Sequence, residues 1–494
     1  MLFVLLLHSN FMHYHPTTIT PMDSKLYNAR SIVAFGAQVG DEGKGKFVDL
    51  LSSMGRSPSK KGSSYDITTH VKYSVRANGG HNAGHVIKIM KGDELISFDV
   101  HLLPSTIFHD DIISVMGAGM AIYMPQLVKE LERARNELGI ERTPEQLKIS
   151  SRAHIIMPWH ITEDCINEAS RTGKNKIGTT KSGIGPAYAD KCARSRAMRM
   201  GDLCMPVADI QEKIFRVCRY KNVVLGALAA EHKIEFEPFD PQQVFDKFME
   251  LRSYVMPYVF EGAEAMLREA SNRGDSILVE LANGFFLDID WSTSPYCTSS
   301  HTTTLGIPQS TGLLPNSLDV ILGVSKVYSV RVGAGPLVGE SEIESETADA
   351  IRVVGNEFGT TTGRPRRCTW LDLVALKHSL TTSGANICAL TMLDVLSQFK
   401  EIKICTAYEL PDGTILDHVP FSAQQQFDAK PIYTTMPGPG EVADVRQYDL
   451  LPQSAKDIVE FIEEFTGVPV HFVSVGPERE AFMTKPLPLD FLAN

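Results

Sequence analysis

None of the eight cysteines forms a C-x-x-C pair. Their wide spacing supplies neither a zinc-ligand set nor a disulfide framework, which argues against a metal-stapled or cystine-rich domain and favours a reducing compartment. Positive charge is also short: 48 Lys and Arg stand against 59 Asp and Glu, a net charge of -11. A broad nucleic-acid or anionic-membrane surface would need the opposite balance, although local basic clusters can still take phosphate. Long apolar runs are missing as well. Leu2 to Leu7 is far below the roughly 20 residues of a spanning helix, and it lacks the basic flank and cleavage site of a secretory leader. Residues 1–30 therefore read as a disordered extension, with a weak targeting segment as the alternative, and residues 31–494 as the folded, cytoplasmic part. No internal repeat or strong linker divides it.

What is present alternates between strand and helix. Ser31 to Phe35 is a continuous β-prone run, followed at once by a glycine loop and then by Phe47 to Leu51 as the first turns of a helix. Strand, loop, helix presents backbone N–H groups and a helix N-terminus to phosphate. Gln126 to Leu138 carries apolar residues on one helical face, with Gly139 as its stop. Ser276 to Glu280, Leu318 to Val332, Ile402 to Tyr408 and Val470 to Ser474 read as buried strands. Ser454-x-x-Asp457 resembles a capping box opening a helix that ends at Gly467. Gly55 to Ser64 reads as a surface insertion, and 206–272 as helical and chemically silent. The pattern predicts an α/β fold: one large domain around a mainly parallel central sheet, with a phosphate loop after the first strand.

The loop, Gly40-Asp41-Glu42-Gly43-Lys44-Gly45-Lys46, matches the first part of a Walker A pattern, but Phe47 stands where a magnesium-binding hydroxyl belongs. Two acids inside a phosphate loop would repel a polyphosphate unless a cation or a proton transfer requires them. The bland alternative is a solvated turn of small residues. A second cluster, Asn78-Gly-Gly-His81-Asn82-Ala-Gly84-His85, implies tight backbone beside a ligand. Ile177 to Pro186 and Arg331 to Pro336 are glycine-rich too. Gly359-Thr360-Thr361-Thr362-Gly363-Arg364-Pro365-Arg366-Arg367 has the composition of a loop that closes on carboxylate or phosphate. Trp159, Trp291 and Trp370 read as packing, His154 and His160 as partners of backbone groups, and Glu463-Glu464 as a solvated helix face. For His301 a structural and a functional role weigh equally.

Taken in order, GDEGKGK, GGHNAGH, IGTT with GIGPAY, LDID with TSS, VRVGAG, NEFGTTTGR, LDVL, MPG and SVGP resemble the adenylosuccinate synthetase family from about Ser31 to Met483. The resemblance implies a GTP-dependent ligase that joins IMP and L-aspartate through 6-phosphoryl-IMP. It implies Asp41 as general base and His85 as acid, with one Mg²⁺ on Asp41 and the Gly84 carbonyl. The GTP side would be formed by Gly40, Asp41, Glu42, Gly43, Lys44, Gly45, Lys46, Gly84, His85, Val86 and Arg366, with Met392, Leu393, Asp394, Ser474, Val475 and Gly476 around the base. IMP would meet Asp41, Lys44, Asn82, His85, Thr180, Asn283, Thr298 and Arg364, and Arg194 reaching over from the neighbouring subunit of a homodimer. Thr360, Thr361, Thr362, Gly363 and Arg364 would hold aspartate. No nucleic-acid or membrane partner is implied.

Several positions depart from the family pattern. Asn78 and Asn283 replace glutamines, Met392 a lysine, Ser182 and Pro365 arginines, and Val39 an aromatic residue. These leave room for an altered purine or phosphate donor, or for a non-catalytic nucleotide-binding paralogue. A GTPase switch fits less well, because Phe47 removes the hydroxyl and no suitable D-x-x-G follows.

Overall fold

The computed structural model describes residues 29–53, 71–91, 94–172, 176–359, 363 and 365–487. An eleven-stranded sheet forms its centre. Its main path runs Phe482–Thr484, Val470–Ser474, Ile387–Thr391, Val320–Lys326, Ser31–Gly36, Ile277–Gly284, Tyr73–Gly79, Ile113–Ile122, Leu147–Ser150, Val259–Phe260. Every pairing along this path is parallel except that of the terminal Phe482–Thr484 strand. Ser31–Gly36 lies inside the sheet, with Val33 opposite both Ile321 and Val279. Its side chains are buried on both faces: Val33 and Phe35 enter one core, Ile32 and Ala34 another. A strand covered on both sides must be apolar throughout, which is why the run shows no alternation.

From this first strand the chain fills one side with Tyr73–Gly79, Ile113–Ile122, Leu147–Ser150, Val259–Phe260 and Ile277–Gly284, and the sheet's strands from Val320–Lys326 onward fill the other. The crevice at the carboxyl end of such a switch point is where open α/β sheets bind ligands. The phosphate loop stands there. Its helix begins at Lys44, three residues earlier than the sequence suggests, and runs to Ser53. Phe47, Val48 and Leu51 pack against Ile32, Ala34 and Phe472, with the Phe47 and Phe472 rings 5.5 Å apart. Position 47 therefore points into the core, where burying a Phe is worth roughly 1.5–3 kcal/mol. The missing Walker hydroxyl reflects that direction.

The expected helix forms as Met124–Leu138 and stops at Gly139, whose φ of 72° suits glycine. Val470–Ser474 forms as read. Other expectations need correction. Leu318 to Val332 is two strands: Val320–Lys326 in the central sheet, and Tyr328–Arg331 in a separate five-stranded sheet that also takes Glu401–Glu409. The helix near the C-terminus spans Gln453–Thr466 with Pro452 at its N-cap and no side-chain cap, so Ser454 and Asp457 form no capping box. Glu463 is no solvated face residue: it accepts from Val470 N (3.0 Å) and from Lys485 Nζ (2.8 Å). The stretch 206–272 holds helices Val207–Glu231, Pro241–Val255 and Ala263–Arg273, plus the edge strand Val259–Phe260. Trp159 and Trp370 are buried, whereas Trp291 is 45 % exposed. Gly55 to Ser64 lies outside the described residues. No helix among the described residues is long and apolar enough to cross a membrane.

Candidate functional site

A cavity of about 870 Å³ opens over the phosphate loop. Gly40 to Lys46, Asn82, Gly84, His85, Thr180, Asn283, Thr298, Arg366, Met392, Ser474 and Gly476 all line it. These motifs, from Gly40 to Gly476 in sequence, thus meet at one place.

Within the loop the two acids divide their work. Glu42 turns inward, fully buried, and its carboxylate accepts from Gln38 N (3.1 Å), Gly40 N (2.7 Å) and Lys44 Nζ (2.6 Å). These three bonds hold the turn. The strands leave room for it. A Cβ on Gly284 would stand 2.4 Å from Gly40 N and 2.5 Å from Glu42 Oε1. Thr391 Oγ1 donates to the Glu42 carbonyl (2.9 Å), tying the loop to the next strand end. Asp41 faces the other way. Its φ is 61°, its side chain is 38 % exposed, and Arg366 Nη2 lies 2.7 Å from Oδ2. The same guanidinium donates from Nη1 to the buried Glu357 (2.6 Å), which also accepts from Lys326 Nζ (2.5 Å) and Tyr328 OH (2.6 Å).

His85 begins the strand His85–Lys91. Its Nδ1 meets the Glu280 carboxylate, with Ser105 Oγ at 3.2 Å. Glu280 in turn accepts from Ser105 N and Oγ, each at 2.9 Å. Burial alone would raise the Glu280 carboxyl, but His85 and Arg76 overcome it and hold it at about 2. Burial depresses His85 below its usual value, against the pull of Glu280. A proton on Nδ1 is therefore committed to Glu280, which leaves Nε2 for the cavity. Sequence reasoning missed Glu280, although a glutamate inside the apolar run Ile277-Leu-Val-Glu280 is itself a signal of a buried partner.

Asn82 Oδ1, Asn283 Oδ1 and Asp394 Oδ1 are buried without a hydrogen-bond partner in the protein. Buried acceptors left unpaired cost about 1–3 kcal/mol each. Asn82 and Asn283, the latter at φ 65°, line the cavity, and Asp394 does not. Burial raises the Asp394 carboxyl above its ordinary value, and Lys46 opposes this. Asn78, by contrast, is spent on the fold: it accepts from Ala282 N (2.8 Å) and donates to Ala282 O and Ser300 Oγ. Met392, at φ 63°, takes a contact from Tyr328 OH to Sδ at 2.8 Å. Leu393 and Val475 are buried in the apolar core, so only their backbone can meet a ligand.

Asp41's carboxylate and the Gly84 carbonyl offer hard oxygens suited to Mg²⁺. Gly84 is held close against His101, whose Cε1 would lie 2.9 Å from an added Cβ. The donor set fits a small divalent cation. The Asp288, Asp290 and His301 group is a different matter: Asp288 is occupied by the backbone N–H groups of Asp290, Trp291, Thr302 and Thr303. His160 accepts from Met157 N through Nδ1 and meets Asp190 through Nε2, while His154 Nε2 has no partner in the protein.

Arg194 is exposed at the end of helix Ile184–Ala193, with φ 66°, and does not line this chain's cavity. Thr360, Thr361, Thr362 and Arg364 lie outside the described residues, as does the side chain of Val86; Gly363 has a φ of 62°. Asp49 and Arg479 also line the cavity and were not singled out from sequence; Arg331, in the VRVGAG segment, lines it too.

A family model described as adenylosuccinate synthetase matches residues 33–483. The adenylosuccinate synthetase of Pasteurella multocida is 41% identical over 454 residues, covering 91% of this chain and 97% of that protein. That of Clostridium perfringens is 40% identical over 450 residues, with the same coverage. The fully ligated adenylosuccinate synthetase of Plasmodium falciparum superposes with a TM-score of 0.80 at 30% identity, over 93% of this chain and 100% of the other. A cyanophage S-2L succinoaminodeoxyadenylate synthetase, at 16% identity and a TM-score of 0.54, shares the fold. By sequence, fold and the arrangement of its loop, histidine and cavity, this chain belongs to the adenylosuccinate synthetase family.

Proposed function

We propose that this chain joins IMP and L-aspartate at the expense of GTP, with Asp41 as base and the His85–Glu280 pair as acid. The observation that carries this reading is the convergence of an inward structural acid, an outward acid paired with Arg366 and a carboxylate-backed histidine on one cavity. Ordinary phosphate loops need no outward acid. A base acting on a purine does.

The chemistry follows from the substrate. The C6 oxygen of IMP is a poor leaving group until it carries a phosphoryl group. Asp41 takes the N1 proton, O6 attacks the γ-phosphorus, and the bond to the GDP oxygen breaks. His85, protonated on both nitrogens with its Nδ1–H held by Glu280, donates from Nε2 to the oxygen on which negative charge gathers. The aspartate amine then adds at C6 of 6-phosphoryl-IMP, and phosphate departs with the C–O bond. Holding both nucleotides on one loop turns a three-substrate encounter into positioned steps.

Asp41 and the Gly84 carbonyl would hold Mg²⁺, which when bound neutralises phosphate charge beside the acidic loop. Lys44 and the loop amides hold phosphates, and Asp394 accepts from guanine N1 and N2. Asn82, Thr180, Asn283 and Thr298 hold IMP, and the 360–364 loop holds aspartate. The chain acts as a cytoplasmic homodimer, with Arg194 completing the partner's IMP site; its exposure and its absence from its own chain's cavity support that arrangement. Purified protein given IMP, GTP, aspartate and Mg²⁺ should form adenylosuccinate, read by absorbance, and D41N should abolish it. No product at any GTP or aspartate concentration would overturn the proposal.

A further inference from the structure

Lys46 lies in the phosphate loop's helix, yet its ammonium turns away from the loop. Lys46 Nζ donates to Ser474 Oγ (2.8 Å), to the Gly476 carbonyl (2.8 Å) and to the Ala481 carbonyl (3.0 Å). All three acceptors belong to one reversal of the chain, between Val470–Ser474 and Phe482–Thr484. Within that turn Val475 N donates to Ala481 O (3.0 Å), Ala481 N to Glu478 O (3.1 Å), Phe482 N to Glu480 O (2.9 Å), and Ser474 Oγ to the Gly476 and Ala481 carbonyls (3.2 Å each), and its tip is exposed and charged. A second tie, Arg479 Nε to Asp49 Oδ2 (2.7 Å), joins the same two elements.

We infer that Lys46 is a positioning residue for base recognition, whose ammonium holds the 474–481 turn against the phosphate-loop helix and so sets the preference for guanine over adenine in the phosphate donor. This rests on the proposed reading of the cavity as a GTP site. The physical reason is geometric. Phosphates are fixed by the loop amides, so the distance from the phosphates to the base wall decides which base edge meets Asp394. A hydrogen-bonded wall must be held within about 0.5 Å to discriminate. The Lys46 charge also draws down the Asp394 carboxyl against its burial.

The alternative role, a direct phosphate contact, makes a different prediction. A phosphate contact is blind to the base, so its loss weakens GTP and ATP by the same factor. Loss of the clasp lowers kcat/KM for GTP more than for ATP. K46M should reduce the GTP-to-ATP ratio of kcat/KM roughly tenfold, the scale of one lost charge-assisted bond, and K46R should restore part of it. Should K46M not fold, S474A keeps the cation, removes one of its acceptors together with that hydroxyl's bonds to the Gly476 and Ala481 carbonyls, and should lower the ratio by a smaller factor. A ratio unchanged in K46M, or in S474A where that variant stands in, overturns the inference. Wild-type protein that makes no adenylosuccinate with GTP fails the functional reading instead, and the two failures are told apart by that control.

Discussion

A histidine whose Nδ1 proton is committed to a buried carboxylate has one tautomer and one useful nitrogen, and His85 is in that position against Glu280. Replacing Glu280 by Gln keeps the volume but removes the charge that supports an imidazolium. If His85 is the acid, E280Q should lower kcat roughly 10²-fold and leave the KM values for IMP and GTP within a few-fold. Steady-state kinetics at saturating substrate decides this, and an unchanged kcat would remove Glu280 from the mechanism. Asp394 gives a second test. Burial raises its carboxyl above the ordinary 3.8, with Lys46 opposing. A carboxyl with a raised value protonates sooner as pH falls, and a protonated oxygen no longer accepts from guanine N1 or N2. KM for GTP should therefore climb on the acid side at a higher pH than an ordinary carboxylate would give, while KM for IMP stays flat. D394N should abolish that pH dependence and raise KM for GTP tenfold or more. A D394N profile that still climbs assigns the titration elsewhere.

At the scale of elements, the first strand and its loop were legible because they are local: an apolar run, glycines and a helix start all fall within 20 residues. Asp41 and His85 could be read from two motifs for the same reason. The division of labour between Asp41 and Glu42 could not, since it depends on Gly284, some 240 positions away, leaving space behind the turn. The Ser329 neighbourhood was read as one strand because both Val320–Lys326 and Tyr328–Arg331 are apolar; only pairing partners, which lie far off in sequence, separate them into two sheets. Glu357 and Lys326 escaped notice for the same reason, each being ordinary until the other stands beside it. The Gly284 argument is testable. G284A puts a methyl at 2.4 Å from Gly40 N and 2.6 Å from Gln38 O, both backbone atoms that cannot yield cheaply. It should destabilise the fold by about 1–3 kcal/mol and raise KM for GTP at least tenfold. Urea unfolding and initial rates measure the two effects; stability and KM both at wild-type values would show that the loop does not lean on this strand.

At the scale of the molecule, the proposed supply of Arg194 to a partner's site starts from its place at an exposed helix end, outside its own cavity. Two inactive variants can expose that sharing. D41N loses the base in its own site, and R194L loses the guanidinium it supplies to its partner's. A D41N subunit still donates a sound Arg194, and an R194L subunit still holds a sound Asp41. In a mixed dimer the R194L chain's cavity then has Asp41 from itself and Arg194 from its partner, so one site of the two is whole. The other has neither. Dissociating and re-pairing equal amounts should place about half the subunit pairs in mixed dimers, and recovered activity should reach about one quarter of wild type. Activity should rise with time of subunit exchange from near zero for either variant alone. If the mixture stays as inactive as its components while sedimentation shows that exchange is complete, Arg194 acts within its own chain or not at all.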